Sequence, residues 1–172
     1  MRRALAASLG LAVALAACSQ GAGAGGGKPA GASGAGGLFG GGGDKLPSDA
    51  LDTAIGQAIG DPTTCVVIAR ASDHKILYRY GDGFNCVRRL PACDRPGSLS
   101  AEQALALATP PGRFKSCNSN DAGDRTVGWA EGPVKSAHGR QLVYSAMMEG
   151  QRTLPGMEIS ARLDEVFDKV GM

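Results

Sequence analysis

Cys65-Val66-Val67-Ile68-Ala69, then Ala71-Ser72-Asp73-His74, then Lys75-Ile76-Leu77-Tyr78-Arg79-Tyr80 is the stretch from which the fold is read. The first run is short, apolar without interruption and rich in β-branched residues, which predicts a strand buried on both faces. The polar four that follow are turn formers, and the third run returns as the hairpin partner. Gly81-Asp82-Gly83 stops it.

Working outward, Leu51, Ile55 and Ile59 recur every four residues. They predict a helix over 49–59, with Ser48 as N-cap, Asp49 in the first turn and Gly60 at C′. Phe84 to Gly97 has two cysteines, two prolines and no period, and reads as a stapled loop. Ser100-Ala101-Glu102-Gln103 fits a capping box opening a helix that stops before Pro110-Pro111. Arg113 to Asp124 is polar and loop-like. Arg125 to Ala130 and Gln141 to Met148 read as two further strands joined by a long loop.

Gly156 to Val170 closes the chain as a helix. Its apolar stripe is Ile159, Leu163, Val166, Phe167 and Val170, opposite Glu158, Arg162, Asp164, Glu165, Asp168 and Lys169. The order is α-β-β-α-β-β-α. That predicts an α+β domain with a single antiparallel sheet of about four strands and helices packed on it. As a succession of elements it is similar to profilin-like and roadblock-like domains. No motif of either family is matched, so the likeness implies nothing about function.

Thirteen of the 27 glycines fall between Ser19 and Gly43, in a stretch of glycine, alanine and serine. Such composition cannot bury enough apolar surface to order itself, and the folded domain is expected to be 44–172. As a flexible coil its 25 residues span about 25–30 Å, the reach of a tether. Arg2, Arg3 and Lys28 precede the domain whereas all 16 acidic residues lie in it. The domain therefore carries one net negative charge, and with few aromatics it excludes nucleic acid as an expected partner.

Upstream of the tether, Arg2 and Arg3 precede the apolar run Ala4 to Ala17, which ends in Leu15-Ala16-Ala17-Cys18. A charged n-region, an apolar h-region and small residues before a cleavage point make a secretory leader. The run is too short for a transmembrane helix, which needs about 20 apolar residues. The cysteine after the small pair resembles the lipobox of bacterial lipoproteins. The resemblance implies that residues 1–17 are removed and that Cys18 is diacylated and often acylated at its new amine. It also implies anchoring in the cell envelope, and Ser19 in place of Asp favours the outer membrane, facing the periplasm. Two or three acyl chains meet the requirement for stable anchoring. No cofactor other than this covalent lipid is expected.

An exported domain with four cysteines, Cys65, Cys86, Cys93 and Cys117, is expected to form two disulfides. Three pairings are open. The short loop favours Cys86–Cys93, leaving Cys65–Cys117 to join distant segments. Neither zinc spacing nor Cys-x-x-Cys is present.

Catalytic signatures are sparse. Ser98, Ser100, Ser116 and Ser119 all lack the lysine of S-x-x-K, Lys135-Ser136-Ala137 matches K-T-G poorly, and G-x-S-x-G is absent. His74 and His138 fall in turns or loops, where with Asp73 or Asp82 they are the weak candidates for a metal or acid–base site. Asn118, Asn120, Asp121 and Asp124 are oxygen-rich, but turn chemistry accounts for them without calcium. Trp129 and Tyr144, on expected neighbouring strands, are candidates for cross-strand stacking, a lone strand Trp being more often core. The expectation is a binding domain whose partner is an envelope protein, peptidoglycan or a secreted ligand. The alternative is a small hydrolase, or a metal- or cofactor-binding protein, whose site is assembled only in the fold.

Overall fold

The structure is a computed structural model, described here for residues 45–135 and 139–172. The chain runs α1 (Ser48–Ile59), β1 (Cys65–Arg70), β2 (Ile76–Tyr80), α2 (Gly83–Val87), β3 (Leu90–Pro91) and β4 (Ser98–Leu99). It continues through α3 (Ala101–Ala104), a 3₁₀ turn (Leu105–Leu107), β5 (Arg113–Asn118), β6 (Thr126–Pro133), β7 (Leu142–Gly150) and α4 (Gly156–Lys169). The α+β class is as expected, with five main strands where about four were counted. Among the described residues no helix is long and apolar enough to cross a membrane.

The five strands lie in the order β2-β1-β7-β6-β5, every neighbouring pair antiparallel. The stretch at 65–80 forms the expected hairpin, and β1 then pairs with β7, so Val67 faces Ser145 and Ile68 faces Tyr144. β1 is buried on both sides because both faces of the sheet are covered. Val66 and Ile68 point into the layer under α1 and α4, with Leu51, Ile55, Ile159, Leu163 and Phe167. Cys65, Val67 and Ala69 point into a second layer with Leu90, Ala101, Ala104, Leu105 and Trp129.

The extra strand is β5. Arg113-Phe114-Lys115-Ser116-Cys117-Asn118 has no apolar alternation, yet it pairs with β6 without a break from Arg113↔Glu131 to Asn118↔Thr126. Backbone pairing along a well-formed neighbour supplies what side-chain pattern does not. The expected loop at 84–97 also contains structure. Asp82 accepts the Phe84 N–H at 2.9 Å and caps α2, and β3 and β4 make a two-stranded ribbon.

Helix ends follow chemistry, with two departures. Ser48 is the first residue of α1 and not its cap: Pro47 holds that position without a side-chain hydrogen bond. Gly60 leaves in an extended conformation, not a left-handed one. The capping box at Ser100 and Gln103 forms as expected, with bonds of 3.2 and 3.1 Å. At the end of α4, Gly171 has φ +70, its N–H reaches Asp168 O, and Met172 N–H reaches Phe167 O at 3.0 Å. This Schellman closure buries Met172 completely in the core.

The disulfide pairing differs from expectation. Cys65 bonds Cys86 and Cys93 bonds Cys117, with Cα separations of 5.2 and 5.4 Å; neither Cys86–Cys93 nor Cys65–Cys117 forms. The reason is topological. Cys65 opens β1, and α2 follows β1's hairpin partner closely enough to lay Cys86 on the same face. Cys93, in the β3–β4 connection at φ +64, meets Cys117 on β5. Each closes a loop of more than 20 residues, worth about 3 kcal/mol in the chain-entropy account.

Candidate functional site

A cleft of about 100 Å³ opens where β5 begins, lined by Phe114, Gly132, Lys135, Tyr144, Ser160 and Asp164 among others. Its floor is made by glycine. Tyr144 lies opposite Gly132 in the β6–β7 register, and Gly132 lies over Gly112, so close that a Cβ on Gly132 would stand 2.9 Å from Gly112 Cα. Gly112 itself has φ +94, a conformation that side chains disfavour. The two glycines thus let the chain entering β5 pack closely on β6 beside the Tyr144 ring.

Polar groups converge there. Tyr144 Oη and Ser160 Oγ are 3.0 Å apart, and Lys135 Nζ pairs with Asp164. Burial pushes the Tyr144 phenol up to about 12; the Asp164 and Glu131 charges add to this and the Ser160 hydrogen bond opposes it. At neutral pH the phenol keeps its proton, so it can donate or accept a hydrogen bond but does not act as a base. At the rim Phe114 is 56% exposed. A hydroxyl pair, an ion pair and an uncovered aromatic ring around a space this small can seat one side chain of a partner.

The other polar clusters are framework. Glu149, almost fully buried, takes Arg125 Nε at 2.6 Å, Arg125 Nη2 at 2.7 Å and Ser119 Oγ at 2.7 Å, with Arg88 at 3.2 Å. Those bonds, Arg125 foremost, hold its carboxyl down at about 2 against the opposing effect of burial. Glu131 meets Lys115 at 3.3 Å and Arg113 at 3.4 Å, and Lys115 also reaches Asp94. This ties the ribbon to β5 beside the Cys93–Cys117 disulfide.

Of the residues singled out from sequence, Asp73 and His74 sit together on the β1–β2 turn, exposed and away from any cleft described above. Asp73 accepts the Lys75 N–H at 3.1 Å and Arg70 at 2.7 Å, which holds its carboxyl below the usual range, the backbone bond most of all. His74 adopts φ +54 to close the turn. Asp82 caps α2. His138 and Cys18 lie outside the described residues, as does Ser136. Among the described residues no three His, Cys, Asp or Glu side chains gather as a metal site.

The serines examined for nucleophile motifs have structural partners. Ser98 accepts from Arg89, Ser100 caps α3, Ser116 accepts the Gly156 N–H, and Ser119 donates to Glu149. Asn120 binds Asp124 at 2.6 Å and the Arg125 N–H at 3.3 Å, closing the 118–124 turn. Trp129 and Tyr144 do not stack. They occupy opposite faces of the sheet: Trp129 is wholly buried and donates to Pro91 O at 2.9 Å, whereas Tyr144 meets Phe167 edge-on at 5.2 Å.

Sequence reasoning did not bring Ser160, Lys135 and Asp164 together: Lys135 entered only through a poor K-T-G match, Asp164 only as a water-facing residue of α4, and Ser160 not at all. No motif or spacing in the sequence joins the three. No protein-family model matches the chain, and no curated protein is similar to it.

Proposed function

We propose that this chain is an exported, lipid-anchored envelope protein whose domain binds a partner at the Tyr144 cleft. The observation that carries the anchoring is the cysteine arithmetic. All four domain cysteines are spent in two disulfides, leaving none for Cys18, which closes the lipobox-like Leu15-Ala16-Ala17-Cys18. Disulfides belong to an oxidising compartment, which supports export by an argument separate from the leader. By the resemblance at 15–19, the anchor lies in the outer membrane with the domain in the periplasm. The tether sets how far the domain reaches.

The cleft supports binding over catalysis because its phenol is held protonated and its one lysine is paired with Asp164. The partner classes that fit are an envelope protein, peptidoglycan or a secreted ligand. A hydrolytic second reading rests on one observation, Ser160 sharing the cleft with Asp164 and Lys135. A fluorophosphonate probe that labels Ser160 would favour it. The test of the main reading is Cys18→Ala. The variant is expected to lose acyl label and to leave the detergent-extracted membrane fraction, and retention equal to wild type would contradict the anchor.

A further inference from the structure

The two edges of the main sheet are not alike. β2 is five residues long and its pairing with β1 slips between Ile68 and Ala69, the kind of irregularity that blunts an edge. β5 offers six consecutive regular pairs to β6, and among the described residues no strand lies on its other side. Natural edges are commonly guarded by an outward lysine. Here Lys115 is drawn inward to Glu131 and Asp94, with its side chain 9% exposed. Arg113, Phe114, Ser116 and Asn118 are exposed along the strand.

We propose that β5 is a strand-addition site for an extended protein segment whose residues alternate between apolar and acidic. The proposal rests on the cleft's being a binding site and names what it takes. An added strand bonds through its backbone, and its side chains fall alternately on the two faces. On the α4 face they meet the exposed Phe114 ring, which suits apolar residues. On the opposite face they meet Arg113, which suits a carboxylate.

The experiment uses the full chain, detergent-solubilised with its disulfides intact, to pan a displayed library of random heptapeptides. Selected peptides are synthesised unmodified and with single N-methylated amides. Enriched peptides are expected to alternate apolar and acidic residues and to slow amide exchange within 113–118. Methylation at every second amide, but not between, is expected to weaken binding about tenfold or more, the scale of a lost backbone hydrogen bond. Phe114→Ser, at a side chain 56% exposed, is expected to weaken it similarly. No enrichment over the unpanned library overturns the proposal, as does protection confined to other segments. Peptides that need Phe114 but ignore N-methylation overturn strand addition while leaving cleft binding standing. Peptides indifferent to both overturn the cleft reading as well.

Discussion

Tyr144 on β7 and Ser160 on α4 hold their hydroxyl oxygens 3.0 Å apart, joining the middle of the sheet to the helix that covers it. The bond is half-buried and neutral, so removing either hydroxyl is expected to cost about 1 kcal/mol. Tyr144→Phe keeps the ring against Phe167, and Ser160→Ala keeps the helix. In urea denaturation the double variant is expected to lose less than the two single losses combined, since each change removes the same bond. Full additivity would show that the pair is not coupled.

Gly156 makes a sharper packing test. A Cβ there would stand 2.1 Å from Trp129 O and 2.5 Å from Lys115 O, both backbone atoms that cannot step aside. Gly156→Ala is expected to destabilise by roughly 3 kcal/mol or more, because α4 must lift from β5 and β6. Gly97→Ala meets no neighbouring atom but has φ +94, so it reports conformational cost alone, about 1 kcal/mol. Thermal denaturation of the two variants separates contact from conformation.

The disulfides should reduce in order. Cys65 and Cys86 are wholly buried, whereas Cys93 and Cys117 only edge the second core layer. Under a mild phosphine reductant, alkylation is expected at Cys93 and Cys117 before Cys65 and Cys86, read by peptide mapping. Simultaneous alkylation of all four, or the opposite order, would contradict the assigned burial.

Acid sensitivity is expected both from Asp94, held far below the usual carboxylate range by Arg95, and, more deeply buried, from Glu149. Its carboxyl titrates at about 2 in the folded chain against an ordinary 4.5. A depressed native value means that the unfolded chain takes up the proton first as pH falls. The stabilisation is therefore complete above about pH 4.5 and is lost as pH drops toward 2. Glu149→Gln is expected to lower stability at neutral pH, where it strands Arg125 and Arg88, and to flatten the pH dependence between these limits. Urea midpoints for both proteins at a series of acid pH values check this, and an unchanged slope would contradict it.

How far the sequence could be read depended on how each residue earns its place. β1 and β7 were legible because strands buried on both faces read as continuous apolar, β-branched runs, and α4 because burial of one face imposes a 3.6-residue period. β5 was not, because Arg113, Ser116 and Asn118 are held by backbone pairing and look like loop residues. α2 was hidden by its length, five residues being too few to show a period. The cysteine count predicted two disulfides. The pairing failed because loop length knows nothing of α2 folding back across β1. The cleft was invisible for a related reason: Gly112, Gly132, Tyr144 and Ser160 converge on it from four segments.

The central claim is that Cys18 anchors a disulfide-closed domain, and intact mass spectrometry of the protein extracted from membranes tests it most directly. The account predicts a chain beginning at Cys18, carrying two or three acyl groups there, and lighter by four hydrogens for the Cys65–Cys86 and Cys93–Cys117 bonds. A mature chain that begins elsewhere, or one with an unmodified Cys18, would contradict it.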